Sequence, residues 1–183
     1  MRLTVVGSGD AFGSGGRLQT CFHVTRPDGN FLIDCGATAL IGLSRLDLDP
    51  NDVSHIFISH LHGDHFSGLV WWMLHAQYVS KRTAPLTIVG PPGLEDRYKV
   101  ASEVLFPSPK PRIPQFELVF ETYDPDGTMS VGGIDVSVTE VVHPCGAPPY
   151  ALRLSVDDKV IAFSGDTEWV DGLIDVSRDA DLF

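Results

Sequence analysis

The 183-residue chain (19.9 kDa) is 43% hydrophobic and 20% charged, enough apolar material for one packed domain. A chain of this length buries roughly 70% of the surface its unfolded form exposes. Acids outnumber bases 24 to 13, a formal charge of −11, which excludes a general nucleic-acid-coating role because that needs a basic face. No apolar run approaches the roughly 20 residues of a bilayer span, and MRLTVVGSGD lacks a secretory pattern. A cytoplasmic protein without a membrane partner is expected. Cys21, Cys35 and Cys145 are odd in number and lack CxxC spacing. They read as free thiols in a reducing compartment, not as a disulfide framework.

Taken in order, Arg2–Gly7, Thr20–Thr25 and Asn30–Cys35 are β-rich runs. Pro27-Asp28-Gly29-Asn30 is a turn signature that makes the last two a hairpin. The glycine-rich stretch 7–16 fits neither phosphate-loop pattern and reads as a flexible loop. Ala37–Leu46 is a short amphipathic helix candidate, followed by a turn at Asp49-Pro50-Asn51-Asp52. The run His55–Ser59 is a buried strand, Phe66–Val79 a helix, Leu86–Gly90 a second buried strand and Leu94–Leu105 a helix. Four prolines between Pro107 and Pro114 make a stiff connector. Beyond it, Phe116–Thr122, Ile134–His143, Tyr150–Val156 and Lys159–Gly165 read as strands, with Asp157-Asp158 turning the last hairpin. Glu168–Val176 reads as a helix, and Asp181-Leu182-Phe183 as the start of another buried strand. Hairpins mixed with helices point to an α+β fold, not to a doubly wound sheet.

The chemistry concentrates in His60-Leu61-His62-Gly63-Asp64-His65, where a strand runs into a helix. Residues two apart on a strand share a face, so His60 and His62 converge on one point. The turn at Gly63 lets Asp64 and His65 address a second. Imidazole nitrogen and carboxylate oxygen suit Zn²⁺, Mn²⁺ or Fe. Later strand ends supply His143 and, within Ser164-Gly165-Asp166-Thr167, a carboxylate able to bridge two ions. The competing reading of Asp166 is a helix N-cap. Asp34 is either a turn residue or the acceptor of a histidine N–H, and Ser59 and Thr167 flank the candidates. His23, His55 and His75 are assigned to packing. Phe66, Trp71, Trp72 and Tyr150 are core residues first and pocket walls second.

These motifs, with Phe31-Leu32-Ile33-Asp34-Cys35-Gly36, Gly90-Pro91-Pro92-Gly93 and Pro149-Tyr150-Ala151-Leu152-Arg153, resemble the metallo-β-lactamase superfamily, in its ribonuclease Z-like and phosphodiesterase-like branch. The resemblance implies an αββα sandwich of two mixed β-sheets spanning residues 1–183 as one domain. It implies two divalent ions, zinc first, with His60, His62 and His143 on one, Asp64 and His65 on the other and Asp166 between them. The family adds a further histidine late in its C-terminal half. None follows Asp166 here, so the expectation is a domain lacking its C-terminal part.

The expected function is a metallo-hydrolase that cleaves a phosphodiester with metal-activated hydroxide, Asp64 orienting the nucleophile. Ester, thioester or lactone hydrolysis on the same fold is the first alternative. A non-catalytic metal-binding sensor or scaffold is the second. Residues 81–112 carry a net +3 and residues 157–181 a net −6, so the former could face a phosphate backbone or simply be a solvated helix face. No long substrate arm is visible between Gly93 and Phe116, which leaves RNA and a small phosphodiester both open as substrates. The resemblance also implies a homodimer.

Overall fold

The computed structural model describes residues 1–110 and 112–183. Six strands form the first sheet: β1 (Arg2–Gly7), β2 (Cys21–Thr25), β3 (Asn30–Ile33), β4 (Val53–Phe57), β5 (Leu86–Gly90) and β6 (Leu118–Thr122), adjacent in that order. The first two pairings are antiparallel and the next three parallel. The second sheet, β7 (Thr128–Val131), β8 (Ile134–Glu140), β9 (Tyr150–Val156) and β10 (Lys159–Phe163), is antiparallel throughout.

The layering follows from alternation along doubly buried strands. Leu32, Ile56 and Ile88 face α1 (Ala39–Arg45) and α3 (Gly68–Tyr78), where they meet Leu43, Leu69 and Trp72. Their neighbours Phe31, Ile33, Phe57 and Val89 face the other way and pack on Val136, Leu152 and Leu154 of the second sheet. On β9 the same alternation turns Ala151 outward onto Leu173 and Val176 of α5 (Gly172–Ser177). The result is the expected sandwich, helices outside two packed sheets. Each fully buried Leu, Ile or Phe contributes about 1.5–3 kcal/mol relative to exposure.

The hairpin turn at Asp157-Asp158 holds both residues at positive φ, 51° and 59°. That is the geometry a two-residue loop needs to follow the strand twist, and Asp tolerates it.

Several boundaries differ from the sequence reading. The helix expected over Phe66–Val79 is two, α2 (Gly63–Phe66) and α3, broken at Ser67. The break lets Gly68 lie against the backbone of Cys35 and Gly36, where a Cβ would collide with both carbonyls. The strand expected to reach His143 ends at Glu140, because the Val142 amide donates to Thr167 Oγ1 and not to a neighbouring strand. The helix expected from Glu168 starts at Gly172: the Glu168 amide is taken by Val142 O, and residues 167–170 carry no regular structure. Asp166 therefore caps no helix. The edge strand β7 was not expected. Between Leu94–Leu105 (α4) and β6 runs the proline-rich connector. In place of the buried strand expected at Asp181–Phe183, Leu182 makes a single parallel bridge to Ile161 at the edge of β10, and Leu182 and Phe183 are exposed because nothing among the described residues packs over them.

Candidate metal centre

All six singled-out residues lie at one end of the sandwich, beyond the C-terminal ends of the strands that carry them. Past β4 the chain stays extended through Ile58 and Ser59, fixed by Ile58 N to Val89 O (2.8 Å) and Tyr150 N to Ser59 O (3.0 Å). This delivers His60 into the space between the sheets, where it is 1% exposed. His62 precedes α2, and Asp64 and His65 sit within it.

Three rings converge. The centroids of His60 and His62 are 5.1 Å apart, His60 and His143 4.9 Å, and His62 and His143 4.7 Å, with planes nearly perpendicular in each pair. One nitrogen from each of His60, His62 and His143 lies within 4.8 Å of the others, and so does one donor atom from each of His60, His65 and Asp166. His60 is common to both sets. Asp64 is in neither, but its Oδ2 lies 3.6 Å from His65 Nε2, close to Asp166 Oδ1 at 3.4 Å from the same nitrogen.

Hydrogen bonds set which nitrogen of each buried ring faces inward. Asp34, fully buried at φ 56°, is the organiser. Its Oδ1 accepts the Ser59 amide at 2.7 Å. Its Oδ2 accepts both the Ser59 hydroxyl at 2.9 Å and His65 Nδ1–H at 2.6 Å. With its proton committed to Asp34, Ser59 Oγ can only accept from His60 Nδ1, 3.1 Å away. Both rings thus carry a proton on Nδ1 and turn Nε2 toward the cluster. His60 Nε2 is buried and has no hydrogen-bond partner. Leaving such an acceptor unpaired costs about 1–3 kcal/mol.

The electrostatics follow from burial and neighbours. Burial, with the adjacent His65 charge, pushes His60 down to about 3, so it stays neutral across the physiological range. Burial also opposes charge on His65, but Asp34 and Asp166 outweigh it and raise His65 to about 10. Its hydrogen bond to His65 holds Asp166 below the usual carboxylate range.

The donor set fits a divalent ion of intermediate hardness. It offers imidazole nitrogens and carboxylates without thiolate, an orphaned buried nitrogen at its centre, and the carboxylate–histidine contacts that orient metal-binding imidazoles. Thr167, by contrast, serves the Val142 loop and no candidate ligand. Phe66, Trp72 and Tyr150 are buried core residues, and Trp71 packs edge-on against Phe106.

Of the six bases in the stretch 81–112, Arg82 and Arg97 turn inward, whereas Lys81, Lys99 and Lys110 stay exposed. Arg82 is 2% exposed and donates to the carbonyls of Asn51, Val53, Ala84 and Pro85, stacked near Trp72 and Phe116. Arg97 also binds carbonyls, and Lys99 pairs with Glu95. Sequence reasoning missed Arg97, because guanidinium-to-carbonyl contacts leave no pattern of residue types. Among the described residues no helix is long and apolar enough to cross a membrane.

A family model described as anti-Pycsar protein Apyc1 matches residues 1–182. A ribonuclease Z from Methanococcus maripaludis (strain C6) is 32% identical over 156 residues, 84% of this chain and 49% of that protein. The chain spans about half the length of the curated relatives it matches. The metallo-β-lactamase fold protein YhfI from Bacillus subtilis superposes with a TM-score of 0.79 at 20% identity, covering 98% of this chain and 68% of that one. The short form of human tRNase Z (ELAC1) gives 0.76 at 25% identity, covering 100% and 76%. The sandwich described above is thus a metallo-β-lactamase fold.

Proposed function

The chain belongs to the family of the anti-Pycsar protein Apyc1, and on that footing we propose that it is a metal-dependent phosphodiester hydrolase. The observation that carries the reading is the unpartnered, buried Nε2 of His60 at the meeting point of two donor sets. The named activities of its relatives, ribonuclease Z and tRNase Z, support a phosphodiester as the bond cleaved.

His60, His62 and His143 would hold one ion. His65 and Asp64 would hold a second, with Asp166 shared between the two, and zinc suits this set of nitrogens and carboxylates. When bound, such ions supply Lewis acidity that draws off charge developing on a phosphoryl oxygen and makes water acidic enough to lose a proton near neutral pH. The protein's own part is preorganisation. Asp34 fixes the His65 ring through Nδ1, and Ser59 does the same for His60, so both rings direct Nε2 at the cluster without reorienting; His65 must also release its Nε2 proton to bind a metal. Asp64, buried beside His65 Nε2, would accept a proton from an attacking water and aim it. The walls around His60 and His65, both 1% exposed, exclude bulk water from that face.

A compact substrate fits better than a polynucleotide. Arg82 and Arg97 spend their donors internally, and the stretch 157–181 that carries Asp166 has a net charge of −6. A homodimer in the cytoplasm completes the reading, and light scattering on the purified protein checks the dimer.

The test is metal content by mass spectrometry alongside hydrolysis of bis(p-nitrophenyl) phosphate, before and after chelation and again after Zn²⁺ or Mn²⁺ is returned. Two metals per chain and turnover that chelation abolishes and metal restores are expected. Turnover indifferent to chelation, or bound metal with no hydrolysis of any phosphodiester, overturns the proposal.

A further inference from the structure

Arg97 is the fourth residue of α4, at the helix end where the macrodipole disfavours a cation. Its guanidinium faces no carboxylate, although the chain has 24 acids. Instead Nη1 donates to Leu61 O at 3.2 Å and to Cys145 O at 3.1 Å, and Nη2 donates to Gly146 O at 3.4 Å. Leu61 lies between His60 and His62, and Cys145 lies two residues beyond His143. These two loops come from different sheets, and their histidines approach with His143 Nε2 2.9 Å from His62 Nδ1. No side chain of either loop hydrogen-bonds the backbone of the other among the described residues.

We infer that Arg97 is the positioning residue of the three-histidine set, a planar fork on α4 that pins the His60–His62 segment to the His143 loop and fixes the spacing at which the three rings meet. The inference rests on the metal-binding reading above. A lysine cannot replace the fork, because one ammonium on a flexible stem does not hold three carbonyls in a fixed plane. Residues supporting metal ligands typically change metal affinity 10- to 100-fold when altered.

The experiment compares full-length wild-type protein with Arg97→Met and Arg97→Lys. Three quantities are read: Zn²⁺ affinity by chelator competition, the visible spectrum of bound Co²⁺, and the melting temperature of the metal-free chain. Arg97→Met should weaken one of two Zn²⁺ ions by about 10- to 100-fold and alter the Co²⁺ bands. Arg97→Lys should recover only part of either, and the second ion should bind as in wild type. Wild-type affinity and spectrum in Arg97→Met overturn the inference. Full recovery in Arg97→Lys overturns the fork, since charge alone would then suffice. Equal weakening of both ions, matched by the melting loss of the metal-free chain, overturns it in favour of a general stabilising role. Failure of the wild-type protein to bind any metal overturns the underlying reading, and is told apart by occurring before any variant is made.

Discussion

The two halves of the candidate centre are built in opposite ways. His60, Asp64 and His65 come from one six-residue stretch and are buried, and Asp34 and Ser59 fix the two imidazoles. His143 and Asp166 come from loops of the second sheet, with side chains 26% and 47% exposed, and neither is oriented by a buried carboxylate. Their placement depends on backbone contacts: Arg97 to the 145–146 carbonyls, Thr167 to Val142, and Glu168 N to Val142 O. One side is preorganised by buried polar bonds, which are costly to break singly. The other is assembled by loops, which can shift at little cost to the fold.

Breaking the buried side should have the largest effects. His60→Ala removes the one residue shared by both donor sets. Bound metal should fall below one per chain by mass spectrometry, with diesterase turnover at background. Asp34→Asn keeps shape and tolerates the positive φ but presents an N–H to groups that need an acceptor. It should weaken metal binding about 10- to 100-fold, and it should lower the stability of the metal-free chain by about 1–3 kcal/mol in urea unfolding. Asp64→Ala sharpens the distinction between binding and chemistry. Turnover should vanish while the circular dichroism spectrum and cooperative melting persist.

On the exposed side the effects should separate. Asp166→Asn should abolish binding of one of the two proposed ions yet change metal-free stability by less than about 0.5 kcal/mol, the usual range for a surface substitution. Thr167→Val deletes the acceptor for the Val142 amide, a bond at the surface. Stability should fall by under about 1 kcal/mol, with a change in KM larger than any in kcat, because the segment bearing Asp166 loosens while the buried ligands stay put. A stability loss in Thr167→Val equal to that of Asp34→Asn would erase the contrast.

Much of the buried side was legible because its parts are adjacent in sequence. HxHxDH declares its own chemistry, and the apolar run before it announces a buried strand. His143 and Asp166 were legible only as residues at later strand ends once HxHxDH had been read, since nothing local to either distinguishes a ligand from a turn residue. Asp34 stood between two readings until the fold brought it to His65, 31 positions away. Arg97 was invisible because its acceptors are backbone carbonyls 36 and 48 residues distant. β7 was missed because it is short: Thr128–Val131 alternates polar and apolar residues, but four residues are too few for the period to stand out. The late start of α5 reflects capture of residues 167–168 by the Val142 loop, a tertiary contact that overrides a passable helical pattern.

The contact between Gly68 and the Cys35–Gly36 backbone sets a clock as well as a shape. The Gly68 amide donates to Cys35 O at 2.9 Å, and the Cys35 amide to His65 O at 2.6 Å. Main chain meets main chain there with no side chain between, so helix α3 has no slack relative to the loop that carries Asp34. In deuterated water these two amides should exchange only through global unfolding, while amides near Asp166 exchange through local opening. The buried half of the centre would then persist for as long as the native state itself.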